Sequence, residues 1–356
     1  MTKVLQFDEP LLIAGPCSAE TPEQVLATAK EIAKNKKVKA FRAGVWKPRT
    51  RPGSFEGAGA PALEWLQAVK LETGLPITVE VANANHVEEA LKAGVDILWI
   101  GARTTVNPFS VQEIANALKG SNVPVMVKNP VTPDMQLWLG ALERLQRVGI
   151  QELVAIHRGF TSFDKSKYRN PPQWEMAIEF RRLMPEIPMI CDPSHISGNT
   201  ILLFHVAQTA LDLDMNGLMI ETHISPKDAW SDAKQQITPE ELDTMLQSLV
   251  VKNRNSANAL FLSQLEELRK KIDLTDTKLL EVLAERMDLV RQIGEYKRDN
   301  QVTVLQISRW SAIVEQRIKT GIALGLDEET IKKLLDLIHI ESIRLQEHII
   351  NQKVVS

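Results

Sequence analysis

Cysteine is scarce: two in 356 residues, too few for a disulfide framework. Charge of one sign is also missing. Lys and Arg number 42 against 45 Asp and Glu, a formal net charge of −3, which argues against non-specific nucleic-acid or membrane binding but leaves room for cations gathered in one pocket. The opening Met-Thr-Lys-Val-Leu-Gln-Phe-Asp-Glu-Pro10 has no apolar signal core, and no uncharged apolar run nears the roughly 20 residues of a membrane span. No membrane attachment is expected, and the cytoplasm is the expected location. The glycine-bearing stretch Gly53-Ser-Phe-Glu-Gly-Ala-Gly59 fits neither the Walker nor the dinucleotide fingerprint, so no nucleotide cofactor is expected.

What is present is a rhythm. Between Leu11 and His223 eight short apolar runs recur with helical patterns between them: LLIAG, VKAFRAG, ITVEV, ILWIGA, PVMVKN, LVAIHRG, PMICDPSH and GLMIETH. Alternating strands and helices imply parallel βαβ units, and eight in roughly 250 residues match the count and size of a (β/α)8 TIM barrel. A doubly wound open sheet is the alternative. The barrel is preferred because it explains the run ends, since active sites gather at the C-terminal ends of barrel strands. Those ends carry Cys17, Arg42 with Lys47, Glu80, Arg103, Lys128, His157 with Arg158, Asp192 with His195, and Glu221 with His223.

Met189-Ile-Cys-Asp-Pro-Ser-His195 is the sharpest of these endings: an apolar run stops at an aspartate, a proline and a histidine. Taken with Cys17, Glu221 and Asp232, His195 completes a set mixing soft and hard donors. Such a set suits a borderline divalent ion, Mn, Fe, Co or Zn, better than Mg or Ca. Cys191, beside Ile190, reads instead as a buried structural thiol. Arginines and lysines at the strand ends, joined by Arg49 and Arg51 in Lys47-Pro-Arg-Thr-Arg-Pro52, concentrate positive charge at one mouth. Phosphorylated or carboxylated substrates would be drawn there.

Past Val250 the Gly and Pro punctuation of βα units disappears. The domain reading is 1–251 for the barrel, 252–258 for a polar linker and 259–356 for an all-α segment. Apolar residues from Leu262 to Ile293 fall at helical spacing, predicting one long helix to about Lys297. A second helix is expected over Ile307 to Thr320, and a third from the N-cap candidate Asp327 to about Gln352. Apolar stripes on so long a first helix favour pairing with a second copy, at least a dimer.

The barrel half resembles the short, metal-dependent type I 3-deoxy-D-arabino-heptulosonate-7-phosphate synthases of the beta subgroup, on Gly15-Pro-Cys-Ser18, Phe41-Arg-Ala-Gly-Val-Trp-Lys-Pro-Arg-Thr50, Gly101-Ala-Arg103, Val127-Lys128, His157-Arg-Gly159, Asp192-Pro-Ser-His195, Glu221-Thr-His223 and Ser231-Asp-Ala-Lys-Gln235. The resemblance implies a condensation of phosphoenolpyruvate with erythrose 4-phosphate, the first step of the shikimate pathway, with release of phosphate. It implies Cys17, His195, Glu221 and Asp232 as metal ligands and Arg42, Lys47, Arg103, Lys128 and Arg158 as phosphoenolpyruvate contacts. Arg49, Thr50 and Asp192 would meet erythrose 4-phosphate. A Lewis-acid metal would polarise the aldehyde, and Lys47 is the candidate for proton handling as water adds to the former enol carbon. The related 3-deoxy-manno-octulosonate-8-phosphate synthases lack the Lys-Pro-Arg-Thr loop and rank well below. Arg51 departs from the pattern, where a small residue is expected.

The helical half resembles the all-helical class of chorismate mutase, on Leu268-Arg-Lys-Lys-Ile-Asp273, Leu283-Ala-Glu-Arg286, Gly294-Glu-Tyr-Lys297, Arg309 and Ser342-Ile-Arg-Leu-Gln346. At about 100° per residue Arg286 and Lys297 return to one face, as do Ser342 and Gln346. The resemblance implies catalysis of the chorismate to prephenate rearrangement by Arg286, Lys297 and Gln346, with Arg309 and Ser342 also binding substrate and Arg269 entering the partner subunit's site. Gln306 and Trp310 stand where many relatives have acids that help hold the substrate hydroxyl, which implies weaker or altered mutase activity. The competing reading makes the helices a ligand sensor or dimerisation arm without useful turnover. Ten residues precede the first run, so any control of the barrel, with prephenate as effector, is expected through the helical segment.

Overall fold

A computed structural model describes residues 5, 7–47, 53–163, 165–252, 258–304 and 307–351, with side chains throughout except at 259 and 307–312. Arg49, Thr50, Arg51 and Gln306 lie outside the described residues, as do the side chains of Arg309 and Trp310.

Eight parallel strands close on themselves in sequence order: β1 (Leu11–Gly15), β2 (Val38–Arg42), β3 (Ile77–Val81), β4 (Ile97–Ile100), β5 (Val125–Lys128), β6 (Leu153–His157), β7 (Met189–Cys191) and β8 (Gly217–Glu221). β8 pairs with β1 and closes the barrel. The open-sheet alternative is therefore excluded. The strands are largely apolar because both faces of the sheet are mostly covered, Lys39 of β2 being an exposed exception. Ile13, Ala40, Trp99, Met126, Ile156, Ile190 and Met219 fill the barrel interior with Leu5 at its floor, while Leu12, Phe41, Val79, Leu98, Val127 and Ala155 pack outward against the helices.

The helices start where short polar caps direct them. Thr21, Asn83, Asp134 and Asp192 each accept a backbone N–H of the first turn, and Thr238 with Glu241 forms a reciprocal capping box. Gly15, at φ +146°, sits where a Cβ would lie 2.1 Å from the Arg42 carbonyl oxygen. Only glycine lets β1 come this close to the end of β2.

The chain divides into two compact units, residues 1–254 and 255–356. In the second, three helices span Ala259–Asp299, Ile307–Ala323 and Glu328–Asn351. Asp327 caps the third: its Oδ2 accepts the Thr330 N–H at 2.9 Å. The first helix packs on the third, and the third also packs on the second. Much of the first remains uncovered, with Leu268, Ile272, Leu279, Val282 and Leu289 all more than half exposed.

Candidate active sites of the barrel and the helical unit

At the C-terminal ends of the strands, Cys17, Glu221 and Asp232 bring a sulfur and two carboxylate oxygens within 4.8 Å of one another. Cys17 follows β1, Glu221 ends β8, and Asp232 lies in the loop beyond it at φ +46°. His195 stands beside this trio rather than inside it. Its Nδ1 is 3.8 Å from Glu221 Oε1 and 2.8 Å from Asp192 Oδ2. Asp192 explains why the apolar run of β7 stops: its Oδ1 caps the helix Pro193–Ser197 by accepting the His195 N–H at 3.1 Å, and this turn lifts the imidazole over the mouth.

Cations gather at the same mouth, Arg42 and Lys47 against the trio itself. Arg42, 1% exposed, sets Nη2 3.2 Å from Glu221 Oε1 and lies 5.1 Å over the Trp99 ring. Lys128 donates to Asp192 Oδ2 at 2.7 Å. Lys47 donates to both the sulfur and the carbonyl oxygen of Cys17, each at 2.8 Å. Arg158 donates to Asn170 Oδ1 at 2.9 Å. Arg103 is exposed in the turn after β4.

These charges set the protonation states. Burial, with Glu221 adding, pushes the Cys17 thiol up to about 12. Burial would raise the Asp192 carboxyl, but its contacts with His195, Lys128 and Arg42 outweigh that and hold it well below the usual carboxylate range. For Asp232 burial is likewise overcome, first by Arg169. Burial lowers His195, keeping the imidazole neutral and able to act as a ligand. Arg158 is lowered by burial to about 10, which leaves it charged at neutral pH.

The donor set fits a divalent metal. One soft sulfur and two ionised carboxylates converge, with a neutral imidazole beside them, and this mixture of donors suits a borderline divalent ion. A thiol held protonated by burial becomes a thiolate when a cation binds it.

Two strand-end residues point elsewhere. His157 is packed among Trp138, Phe160 and Trp174, with centroids 6.4, 5.9 and 5.3 Å away. His223 turns to Glu20, Nε2 to Oε2 3.5 Å. Conversely, Arg169 and Asn170 hold the site and stand in the long connection after β6, where the strand-end rule does not look. Arg169 Nη1 donates to Asp232 Oδ1 at 2.9 Å.

In the helical unit a cavity of about 490 Å³ opens between the three helices, lined by Arg286, Lys297, Ser342 and Gln346 together with Arg317 and His339. Arg286 Nη1 donates to Ser342 Oγ at 2.8 Å, and Lys297 Nζ to the Val304 carbonyl at 2.5 Å. Burial and the charge of Arg317 lower Arg286. Among the described residues lining this cavity there is no carboxylate. Arg269 is exposed on the same helix as Arg286 but is not among them. The two are 17 positions apart (286 − 269), roughly 25 Å along the helix.

The sequence profile of the DAHP synthetase I family matches residues 6–259, covering every residue of the barrel mouth just described. The chain belongs to that family. Residues 268–347 match chorismate mutase type II. A phospho-2-dehydro-3-deoxyheptonate aldolase of Thermotoga maritima is 30% identical over 238 residues, 67% of this chain and 68% of that one. A 2-dehydro-3-deoxyphosphooctonate aldolase of Wolinella succinogenes is 28% identical over 270 residues, 67% of this chain and 98% of that one. Among solved structures, the phospho-2-dehydro-3-deoxyheptonate aldolase (DAHP synthase) of Thermotoga maritima superposes with a TM-score of 0.60 at 28% identity, covering 67% of each chain. A truncated form of 3-deoxy-D-arabino-heptulosonate 7-phosphate synthase from the same organism gives 0.57 at 25%, covering 67% of this chain and 84% of that one. The barrel is a DAHP synthase domain, a transferase, and the helical unit a chorismate mutase domain, an isomerase. DAHP synthases are generally metal-dependent, and Cys17, Glu221 and Asp232 form a possible metal site. No helix among the described residues is long and apolar enough to cross a membrane.

Proposed function

We propose that Cys17, His195, Glu221 and Asp232 hold one divalent ion, Mn, Co, Fe or Zn, and that the cations around them receive phosphoenolpyruvate and erythrose 4-phosphate. When bound, the ion supplies Lewis-acid polarisation of the aldehyde carbonyl. The chain does the rest. Arg158, Arg103, Lys128 and Arg42 take the carboxylate and phosphate of phosphoenolpyruvate, and Asp192, with Arg49 and Thr50, receives erythrose 4-phosphate. Carbon 3 of the enol attacks the aldehyde, water adds to the former enol carbon, and inorganic phosphate leaves from the resulting hemiketal. Lys47 handles the proton. The observation carrying this reading is the compact sulfur and carboxylate trio with Lys47 against its sulfur. Exhaustive chelation is expected to abolish synthase turnover, and Mn or Co to restore it. Full activity with no residual metal by elemental analysis would sink the idea.

In the helical unit we assign chorismate and prephenate to the cavity of Arg286, Lys297, Ser342 and Gln346, with Arg309 as a further contact. The rearrangement needs no nucleophile. The site binds a dicarboxylate in its compact conformer and stabilises charge on the breaking ether oxygen. Two copies of the chain pair through the helical unit, so that Arg269 enters the partner subunit's cavity. The exposed apolar stripe of the first helix and the distance of Arg269 from its own cavity support this. Prephenate bound there restrains the synthase. The enzyme works in the cytoplasm.

A further inference from the structure

Arg169 and Asn170, adjacent in the connection after β6, touch two of the four residues assigned to the metal, Asp232 and His195, and reach a third, Glu221, through Gln235. Arg169 Nη1 donates to Asp232 Oδ1 at 2.9 Å and to Gln235 Oε1 at 2.7 Å. Gln235, 1% exposed, passes the contact on: its Nε2 donates to Glu221 Oε2 at 2.6 Å. Asn170 Nδ2 donates to the His195 carbonyl at 2.6 Å, while its Oδ1 accepts from Arg158 at 2.9 Å. The backbone fastens the pair to the helix carrying His195, with Arg169 N bonded to Ser197 O at 3.4 Å and Asn170 N to Ile196 O at 3.2 Å. Gly198, at φ +67°, leaves the space in which Arg169 lies, since a Cβ there would meet the Arg169 Cβ at 2.4 Å.

We propose that Arg169 and Asn170 are positioning residues: a clip that aims His195, Glu221 and Asp232 at the divalent ion and couples that aim to Arg158. The inference rests on the ligand assignment made above. An isolated pair as exposed as Arg169 and Asp232, whose side chains are 45% and 17% accessible, contributes little. What sets this one apart is the buried glutamine that carries the restraint to a second carboxylate. Outer contacts of this kind orient ligands before an ion arrives and typically change metal affinity or activity by roughly 10–100-fold. The clip also joins two functions. Asn170 is bonded to the carbonyl of a metal-ligand residue and to the guanidinium assigned to phosphoenolpyruvate, so moving it disturbs both.

The test is metal affinity. The metal-free full-length protein is titrated with Co(II), reading the thiolate-to-cobalt absorption that reports Cys17, and with Mn(II) in competition with a chelating dye. Arg169→Ala is expected to weaken the dissociation constant about 10–100-fold, Arg169→Lys to recover part of that loss, and Asn170→Ala to raise KM for phosphoenolpyruvate more than it lowers kcat at saturating metal. Gln235→Met keeps the side-chain length while cutting both bonds, and it decides the matter if circular dichroism shows that Arg169→Ala does not fold. Arg169→Ala or Gln235→Met binding within twofold of wild type, while Cys17→Ala abolishes the cobalt band, overturns the clip and leaves the ligand set standing. Cys17→Ala binding as tightly as wild type overturns the ligand set itself.

Discussion

Lys47 Nζ stands 2.8 Å from Cys17 Sγ and equally far from the Cys17 carbonyl oxygen, so one ammonium touches both a proposed metal ligand and the backbone that places it. Burial works to lower Lys47, but its contact with the Cys17 sulfur and the nearby Glu221 carboxylate outweigh it and keep the lysine protonated. Lys47→Met preserves the stem and removes the proton. A positioned acid or base typically contributes about 10²–10⁴ in rate, so synthase turnover is expected to fall by that factor with a smaller change in KM. A loss below tenfold would exclude Lys47 from proton transfer.

Cys17→Ala separates the two activities. Cys17 is buried in the barrel unit and Arg286 lines a cavity formed wholly within the helical unit. The substitution is expected to cripple the synthase and leave chorismate turnover within a few-fold of wild type, both followed by ultraviolet absorbance on one preparation. Parallel loss of both activities, in protein that remains folded by circular dichroism, would contradict independent chemistry.

The barrel was legible because each βα unit leaves a local trace, an apolar run ending near a polar residue, and several add a capping side chain. Asp192 is read this way, and the structure shows it capping the turn that carries His195. The three C-terminal helices were equally legible from their spacing and from Asp327. Arg169 was not, because its meaning lies in Asp232 and Gln235, 63 and 66 residues further on, and no local pattern encodes that meeting. Arg317 and His339 were missed for a related reason. A cation on a helix reads as solvated until the facing helix is in place. The irregular register between Leu12 and Ile13 on β1 also left no trace in the sequence.

His157 predicts an acid-side stability limit. Burial among Trp138, Phe160 and Trp174, with the charge of Arg158 adding, holds its pKa down to about 3 against an ordinary 6.5. Below pH 6.5 the unfolded chain binds a proton that the folded chain refuses, so unfolding free energy falls as pH drops from 6.5 toward 3, at a slope approaching about 1.4 kcal/mol per pH unit. Urea melts at pH 7 and pH 5 measure it. His157→Gln, which cannot titrate, is expected to flatten the slope between these values. An unchanged slope would assign the acid sensitivity to other groups.

Arg286 donates to Ser342 within the cavity of the helical unit. Arg286→Ala is expected to lower chorismate turnover by about 10²–10³, the cost of removing one comparable donor to a developing negative charge. A loss below tenfold would move Arg286 out of the site. Mixing Arg269→Ala chains with Arg286→Ala chains tests the dimer as well. If Arg269 acts in the partner subunit's cavity, a mixed pair contains one wild-type site, and turnover reappears on mixing. Two inactive variants that stay inactive after demonstrated subunit exchange would defeat the crossed arrangement.

The proposed prephenate control is motivated by the presence of both domains on one chain. Prephenate, the product of the helical unit, lies downstream of the barrel's first step, so its binding site sits on the same chain as the enzyme that feeds it. Restraint requires that prephenate favour one state of the chain over another, and linkage then requires barrel ligands to bias prephenate affinity by the same factor. A coupling of 1–3 kcal/mol, typical of such pairs, corresponds to about 5–150-fold. Steady-state synthase assays with added prephenate, on the full chain and on a truncated chain ending at Val251, are expected to show inhibition in the first alone. Calorimetric titration of prephenate with and without phosphoenolpyruvate should give the reciprocal shift. Equal inhibition of both chains, or of neither, rules out control through the helical unit and leaves the polar segment after Val251 as a simple tether.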